Sequence, residues 1–195
     1  MKVDNIKNYL SEELREDFIK IIDEVYSITE HLNETYPGYR DWFFEKQVKG
    51  CYTPNRDILF IKNDEGEIIA LSCLKKDEEE KKICTLFVNP NYRKHGIGSL
   101  LFEESMKFLE TTKPLVTFTE DKLPMFEKIV SKYNWELTEI VDGIYNDGVR
   151  ELCFNGQLSK RNYRQELIEI LRKLKAVASD TLEPTDTLDK ISTKS

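Results

Sequence analysis

A β-branched run, Ile83 to Val88, stops at Asn89-Pro90-Asn91. Arg93-Lys94-His95-Gly96-Ile97-Gly98 follows, and then the apolar-periodic stretch Ser99-Leu100-Leu101-Phe102. No other segment restricts the fold of this chain as tightly. A strand must end at the proline turn, and a helix must begin just after the glycines. The first-turn N–H groups of that helix have no intrahelical partner, and the helix dipole favours an anion beside them. With two cations and two glycines at the same place, the junction reads as a phosphate-binding loop. Glycines lacking a Cβ let a ligand approach the backbone, although they also serve a tight turn for its geometry alone. Two other glycine loops fail on spacing: a dinucleotide fingerprint needs a third glycine where Leu101 stands, and a P-loop needs Gly-Lys-Ser/Thr, which the chain lacks.

The 195 residues are enough for one domain with a proper core. Charged residues make up 33% of the chain and hydrophobic residues 39%, the balance of a soluble protein with a heavily charged surface. Lys+Arg 29 against Asp+Glu 36 gives a net charge of −7. That sign disfavours nucleic acid as a partner, because phosphate neutralisation supplies most non-specific affinity, and it leaves room for cationic amines. No apolar run approaches the ~18 residues of a membrane span, and the N-terminus has no signal-peptide core. The expectation is a cytoplasmic protein with no membrane partner. Cys51, Cys73, Cys84 and Cys153 form no C-x-x-C pair and read as small buried hydrophobes in a reducing compartment. With only His31 and His95 as imidazoles, no metal site is expected.

Along the chain, Ile6 to Leu10 reads as a short opening strand. Ser11 offers an N-cap to a helix carrying Leu14, Phe18, Ile21, Ile22, Val25, Ile28 and Leu32 at helical spacing. Tyr36-Pro37-Gly38 breaks it, and an aromatic helix, Tyr39 to Val48, follows. The period then changes to that of strands: 58–62, a turn at 63–66, 67–75, and 82–88 after the acidic tip 77–80. Beyond the glycine loop the spacing predicts a helix to about Leu109, a strand 115–119, a helix from Pro124 to Tyr133 ending at Asn134, and a hairpin of 136–145 with 149–154.

The loop resembles the acyl-CoA signature of the GNAT N-acetyltransferase superfamily, Arg/Gln-x-x-Gly-x-Gly/Ala after a strand ending in Val-x-Pro; here these are Arg93-Lys94-His95-Gly96-Ile97-Gly98 and Val88-Asn89-Pro90. The order of elements over roughly residues 4 to 156 is similar too. This resemblance implies an α+β fold, a mostly antiparallel six- to seven-stranded sheet with helices on both faces. Its fourth and fifth strands splay to admit the pantetheine arm. It implies a domain over 1–156, to which this chain adds an amphipathic helix within 157–178 and a Thr/Asp/Ser-rich tail over 179–195. The helix would pack on the domain or on a second copy in a homodimer. The implied activity is acetyl-CoA-dependent N-acetylation of a small-molecule or protein amine by direct attack in a ternary complex. The alternative is a non-catalytic acyl-CoA sensor. By the same resemblance, the backbone of Leu86, Phe87 and Val88 would bind the pantetheine arm, with the Val88 N–H as oxyanion donor. The amides of Arg93, Lys94, His95, Gly96, Ile97, Gly98 and Ser99 would hold the pyrophosphate.

Proton-handling residues depart from the family pattern. The tyrosine that often protonates the thiolate is replaced by Val130, and Tyr133, three residues on, is either its substitute or a packing aromatic beside Trp135. Where some members place a glutamate base at the start of the fourth strand, this chain has Lys82. Glu120, at the end of the fifth strand, is either the base or a solvated carboxylate at a helix start. Tyr36, Tyr39, Trp42 and Phe43 would wall the acceptor side or belong to the core.

Overall fold

The computed structural model describes residues 2–158. Seven strands form one sheet: β1 (Val3–Asn5), β2 (Arg56–Lys62), β3 (Ile68–Lys76), β4 (Lys81–Val88), β5 (Leu115–Thr119), β6 (Leu137–Asp142) and β7 (Arg150–Phe154). Their order is β1-β2-β3-β4-β5-β7-β6, and every neighbouring pair is antiparallel except β4 and β5. The helices are α1 (Arg15–Thr29), α2 (Leu32–Thr35), α3 (Tyr39–Trp42), α4 (Ile97–Leu109) and α5 (Leu123–Lys132). This is the α+β architecture expected, with a parallel β4–β5 pair at its centre.

Strand alternation divides the buried side chains between the two faces of the sheet. On one face, Leu59, Ile61, Ile69, Ile83, Val116, Phe118, Leu152 and Phe154 meet Ile97, Leu101, Phe102, Met106 and Leu109 of α4 and Ile129 of α5. On the other, Ile58, Phe60, Ile68, Leu71 and Cys73 meet Phe18, Ile21, Ile22 and Val25 of α1, together with Tyr39 and Phe43. The α1 residues recur at the i, i+3, i+4, i+7 spacing that places one apolar stripe on the sheet.

Three local readings are corrected. The opening strand is Val3–Asn5, and 6–9 turn instead into a 3-10 segment. The Asn5 side chain accepts the Lys7 N–H at 2.7 Å, while Asp4 takes Asn8 at 2.8 Å and Tyr9 at 2.7 Å, so local polar bonds outbid the ladder. Ser11 makes no side-chain cap; its carbonyl accepts Leu14 N at 3.1 Å and a 3-10 turn, Glu12–Leu14, leads into α1. The second helix is α-helical only over Tyr39–Trp42 and continues as a π-helix, Phe43–Val48. That wider turn brings Gln47 fully inside, where its Nε2 donates to the Asp57 carbonyl at 2.7 Å and its Oε1 accepts from Arg56 at 2.9 Å.

The chain divides into a compact unit, Met1–Gln157, and a second unit, Leu158–Ser195. From residue 159 onward, the helix expected within 157–178 and the tail over 179–195 lie outside the described residues. Among the described residues no helix is long and apolar enough to cross a membrane.

Leu101 is fully buried between α4 and the sheet, whereas Leu137 on β6 is 50% exposed. Leu101→Ala is expected to lower the unfolding free energy by about 3 kcal/mol, through lost burial and a residual cavity. Leu137→Ala should change it by less than about 0.5 kcal/mol. Urea unfolding followed by circular dichroism distinguishes the two.

Candidate functional site

At the end of β4 the Asn89 side chain accepts the Asn91 N–H at 3.0 Å, and Tyr92 N donates to the Asn89 carbonyl at 2.9 Å. This turn consumes the Arg93 N–H as well, which reaches the Pro90 carbonyl at 3.3 Å. The chain then passes through left-handed backbone at Lys94 (φ 68°) and Gly96 (φ 78°) and enters α4 at Ile97, which is buried and anchors the helix. Glycine adopts that conformation freely; a lysine there is strained, a cost that recurs at ligand-binding loops. The first backbone bond of the helix is Leu100 N to the Gly96 carbonyl at 3.0 Å. Six consecutive N–H groups, Lys94 through Ser99, therefore have no acceptor among the described residues, and no side chain caps the helix. The expected run loses Arg93 at one end for that reason. Arg93 instead turns its side chain back, Nε donating to the Val88 carbonyl at 3.0 Å, while Lys94 and His95 are exposed.

Beside this loop the sheet opens. β4 and β5 pair only at Lys82↔Leu115 and Ile83↔Val116 and then diverge. A register shift in the β3–β4 ladder skips Cys84, and such a bulge bends the strand that carries it. Past the bulge, Asn89 N bonds the Ile69 carbonyl at 2.8 Å. Antiparallel alternation from that bond turns the main chain of Phe87 toward β3 and those of Leu86 and Val88 into the gap. Of the three residues expected to face the pantetheine, two present their backbone there. Cys84, Leu86, Val88 and Thr117 remain only half-buried although their strands are interior to the sheet, as an open gap requires.

One strand beyond the gap, on the other side of β5, lies a carboxylate that the sequence analysis did not single out. Glu151 on β7 pairs with Thr119 on β5 and is 2% exposed. Its Oε1 accepts the Tyr36 hydroxyl at 3.4 Å, and Thr117 also hydrogen-bonds it. Burial pushes its pKa up to about 7; these hydrogen bonds and the nearby Lys82 ammonium hold it from rising further. Tyr36, itself pushed well above the ordinary phenol range by burial, stacks edge-on against Tyr145 with centroids 5.1 Å apart. Tyr145 is free to do so because β6 ends at Asp142, three residues short of the expected strand, and Gly143 N closes the connection on Val149 O at 3.0 Å. The signal for Glu151 was available: it sits in opposite phase to Leu152 and Phe154 in a strand whose two faces are both covered.

The other candidates sit as follows. Glu120 opens a 3-10 turn at the end of β5, half-exposed and 3.3 Å from Arg150. Tyr133 donates to Glu103 of α4 at 3.4 Å, beside the Lys132–Glu103 ion pair, at the opposite end of α5 from the gap. Tyr39 and Phe43 are buried core residues, and Trp42 lies under the Arg56 guanidinium at 5.9 Å. Tyr36 alone of that aromatic set reaches Glu151. Two surface hollows of about 340 and 320 Å³, around Glu136 and around Tyr9, lie away from both loop and gap.

Comparison with known proteins bears on this arrangement. The family model for the GNAT acetyltransferases matches residues 12–121, which spans the loop and the gap but ends before Glu151. The ribosomal-protein-S18-alanine N-acetyltransferase of Escherichia coli shares the fold at a TM-score of 0.53 and 12% identity, covering 78% of this chain and 90% of that one. Nourseothricin acetyltransferase aligns at a TM-score of 0.47 and 16% identity over 52% of this chain and 64% of its own, so the chain spans less than two thirds of that protein. An Elizabethkingia anophelis GNAT acetyltransferase solved with acetyl-CoA bound aligns at 0.44, 16% identical, over 56% and 80%. No curated protein sequence matches the chain.

A buried carboxylate with a raised pKa makes the protein less stable as it ionises. Stability from this group is full below about pH 4.5, its ordinary value, and is lost as pH rises through about 7. Relative to Glu151→Gln, the unaltered protein should therefore lose stability across that window in thermal melts. In carboxyl-resolved NMR the Glu151 titration should centre near 7 and move higher in Tyr36→Phe, which removes a hydrogen bond to the ionised form.

Proposed function

The chain belongs to the GNAT acetyltransferase family, and on that premise we propose that it transfers an acetyl group from acetyl-CoA to an amine by direct attack while both substrates are bound. The observation that carries this reading is the run of six unpartnered N–H groups at the start of α4, lying at the mouth of a gap between two interior strands. The pyrophosphate sits on the amides of Lys94 to Ser99, with Arg93 and Lys94 supplying charge-assisted contacts. The pantetheine arm enters the gap and pairs with the main chain of Leu86 and Val88 as an added strand. Acetyl-CoA supplies the acyl group; the protein orients it and offers the Val88 N–H to the carbonyl oxygen as charge develops there.

Glu151 takes the proton from the incoming ammonium. A carboxylate that titrates near 7 is ionised in about half of the molecules at neutral pH and still basic enough to accept that proton. The neutral amine attacks the thioester carbon, the C–S bond breaks, and the proton that the new amide nitrogen must shed passes through solvent to the departing thiolate. Glu120 and Tyr133 are the candidates read from the sequence for base and acid. Each is engaged elsewhere, Glu120 with Arg150 and Tyr133 with Glu103, and proton abstraction falls to Glu151. The relatives' names span both acceptor classes, a protein alanine and nourseothricin. A reducing, cytoplasmic setting suits Cys51, Cys73 and Cys84, which form no disulfide among the described residues.

Isothermal titration tests the reading directly: no acetyl-CoA binding at millimolar ligand ends it. A sharper variant is Gly98→Ala. A Cβ there meets only Val88 Cγ2, at 3.7 Å, so the protein itself accommodates it. Alanine in the first turn of α4 should leave stability unchanged or raise it by up to about 1 kcal/mol. If the loop binds the nucleotide closely, acetyl-CoA affinity falls roughly tenfold, about 1.4 kcal/mol, in the same variant. Glu151→Gln should keep acetyl-CoA affinity and lower kcat by about 10²- to 10⁴-fold. It should also remove the acidic limb near pH 7 from the kcat/KM profile.

A further inference from the structure

Three charged side chains are buried among the described residues: Asp57, Glu151 and Lys82. Asp57 is met by the Asn5 amide at 2.6 Å and by the Ile58 N–H at 2.8 Å, and Glu151 by Tyr36 and Thr117. Lys82 has no such partner. It is 9% exposed, on a central strand, yet its Nζ has no carboxylate within 4.0 Å and no hydrogen-bond acceptor among the described residues. Its Nζ is not among the fully buried polar atoms that lack a partner, so it keeps some contact with water, and its donors are open to a bound anion. The neighbouring cation shows the ordinary arrangement. Lys75 lies directly across the β3–β4 ladder on the same face and is neutralised by Asp77 at 2.5 Å. Asp77 is therefore engaged by Lys75, and two like charges facing one another across a ladder favour an anion at Lys82.

The position of Lys82 decides what kind of anion this is. Ile83 and Val116 pack toward α4, so Lys82 and Thr117 project to the opposite face, the one that also carries Glu151. Lys82 stands at the closed end of the gap, opposite the first residue of β5, and Glu151 opposite the last. Their charges feel one another, and Tyr145 feels both, but they do not touch. A positive and a negative group on one face of the sheet, near enough to interact yet not paired with each other, form a template for a molecule carrying the reverse pair.

Resting on the acetyl-transfer reading above, we propose that the acceptor is a small zwitterion of the free amino-acid class: its ammonium goes to Glu151 and its carboxylate to Lys82. Tyr36 and Tyr145, in edge-to-face contact, flank the amine end. Lys82 is a specificity-determining residue here; it binds the carboxylate and takes no part in proton transfer.

The test compares three acceptors per side chain: an α-amino acid, its carboxamide, and the amine lacking the carboxyl group. Thiol release is measured at fixed acetyl-CoA with the full chain and with Lys82→Met and Lys82→Arg. The expected result is at least a tenfold preference in kcat/KM for the free acid over its carboxamide, carried by KM. The preference should collapse toward one in Lys82→Met and be largely kept in Lys82→Arg. Equal rates for acid and carboxamide overturn the proposal. So does a parallel loss for all three acceptors in Lys82→Met, which would make Lys82 only a support for Glu151 or for the fold. A second arm needs no turnover: amino acids and their carboxamides are titrated into the CoA-loaded protein by calorimetry. If CoA binds and no amine is acetylated, the acetyl-transfer reading fails while this arm still decides the ligand class. Failure of any amino acid to bind at least tenfold more tightly than its carboxamide overturns the proposal.

Discussion

The two residue pairs that join β4 to β5, and the divergence that follows them, govern the rest of the molecule. An interior strand ordinarily has every N–H and C=O paired on both sides. From Thr85 onward β4 is paired only with β3, so the backbone of Leu86 and the N–H of Val88 face a space rather than a neighbouring strand. The bulge at Cys84 bends β4 off its parallel course, and beyond Val116 β5 is paired only with β7. Both apolar layers remain continuous on either side, which is why the sheet tolerates an opening at its centre.

That opening and the phosphate-type loop share one stretch of chain. Val88 borders the gap, its carbonyl holds the Arg93 side chain, and six residues past Val88 the unpartnered amides begin. A ligand with an anionic end and an extended arm therefore meets one uninterrupted surface. The chain as a whole is acidic at −7, yet the field at this point is positive, since a helix start and the Arg93 and Lys94 charges act at short range. On the other side of the gap, low exposure strengthens every charge interaction. Burial raises the Glu151 pKa, and the Tyr36 hydroxyl and the Lys82 ammonium oppose it. The balance leaves the group titrating near 7, where a proton acceptor is useful.

The loop, β4 and α4 were legible because each is local. A proline turn, two glycines and an apolar repeat specify strand end and helix start without reference to anything distant. The same locality explains the misread N-terminus, where bonds from Asn5 and Asp4 to residues two to five positions away replaced a ladder. It also explains why Glu120, a carboxylate at a strand end, stood out in the sequence and Glu151 did not. An Arg150 from another strand neutralises the first, and a Tyr36 separated by 115 positions caps the second.

Sequence alone determined the element order, the alternation that makes a two-faced sheet, and the glycine-bearing strand-to-helix junction at the α4 start, because all three follow from spacing of a few residues. Tertiary structure alone decided that Lys82 and Glu151 share one face of the sheet, that Lys82 makes no ion pair among the described residues, and that burial pushes the Glu151 pKa up to about 7. Burial and charge proximity depend on strands β4, β5 and β7 being brought side by side, and no local spacing encodes that juxtaposition.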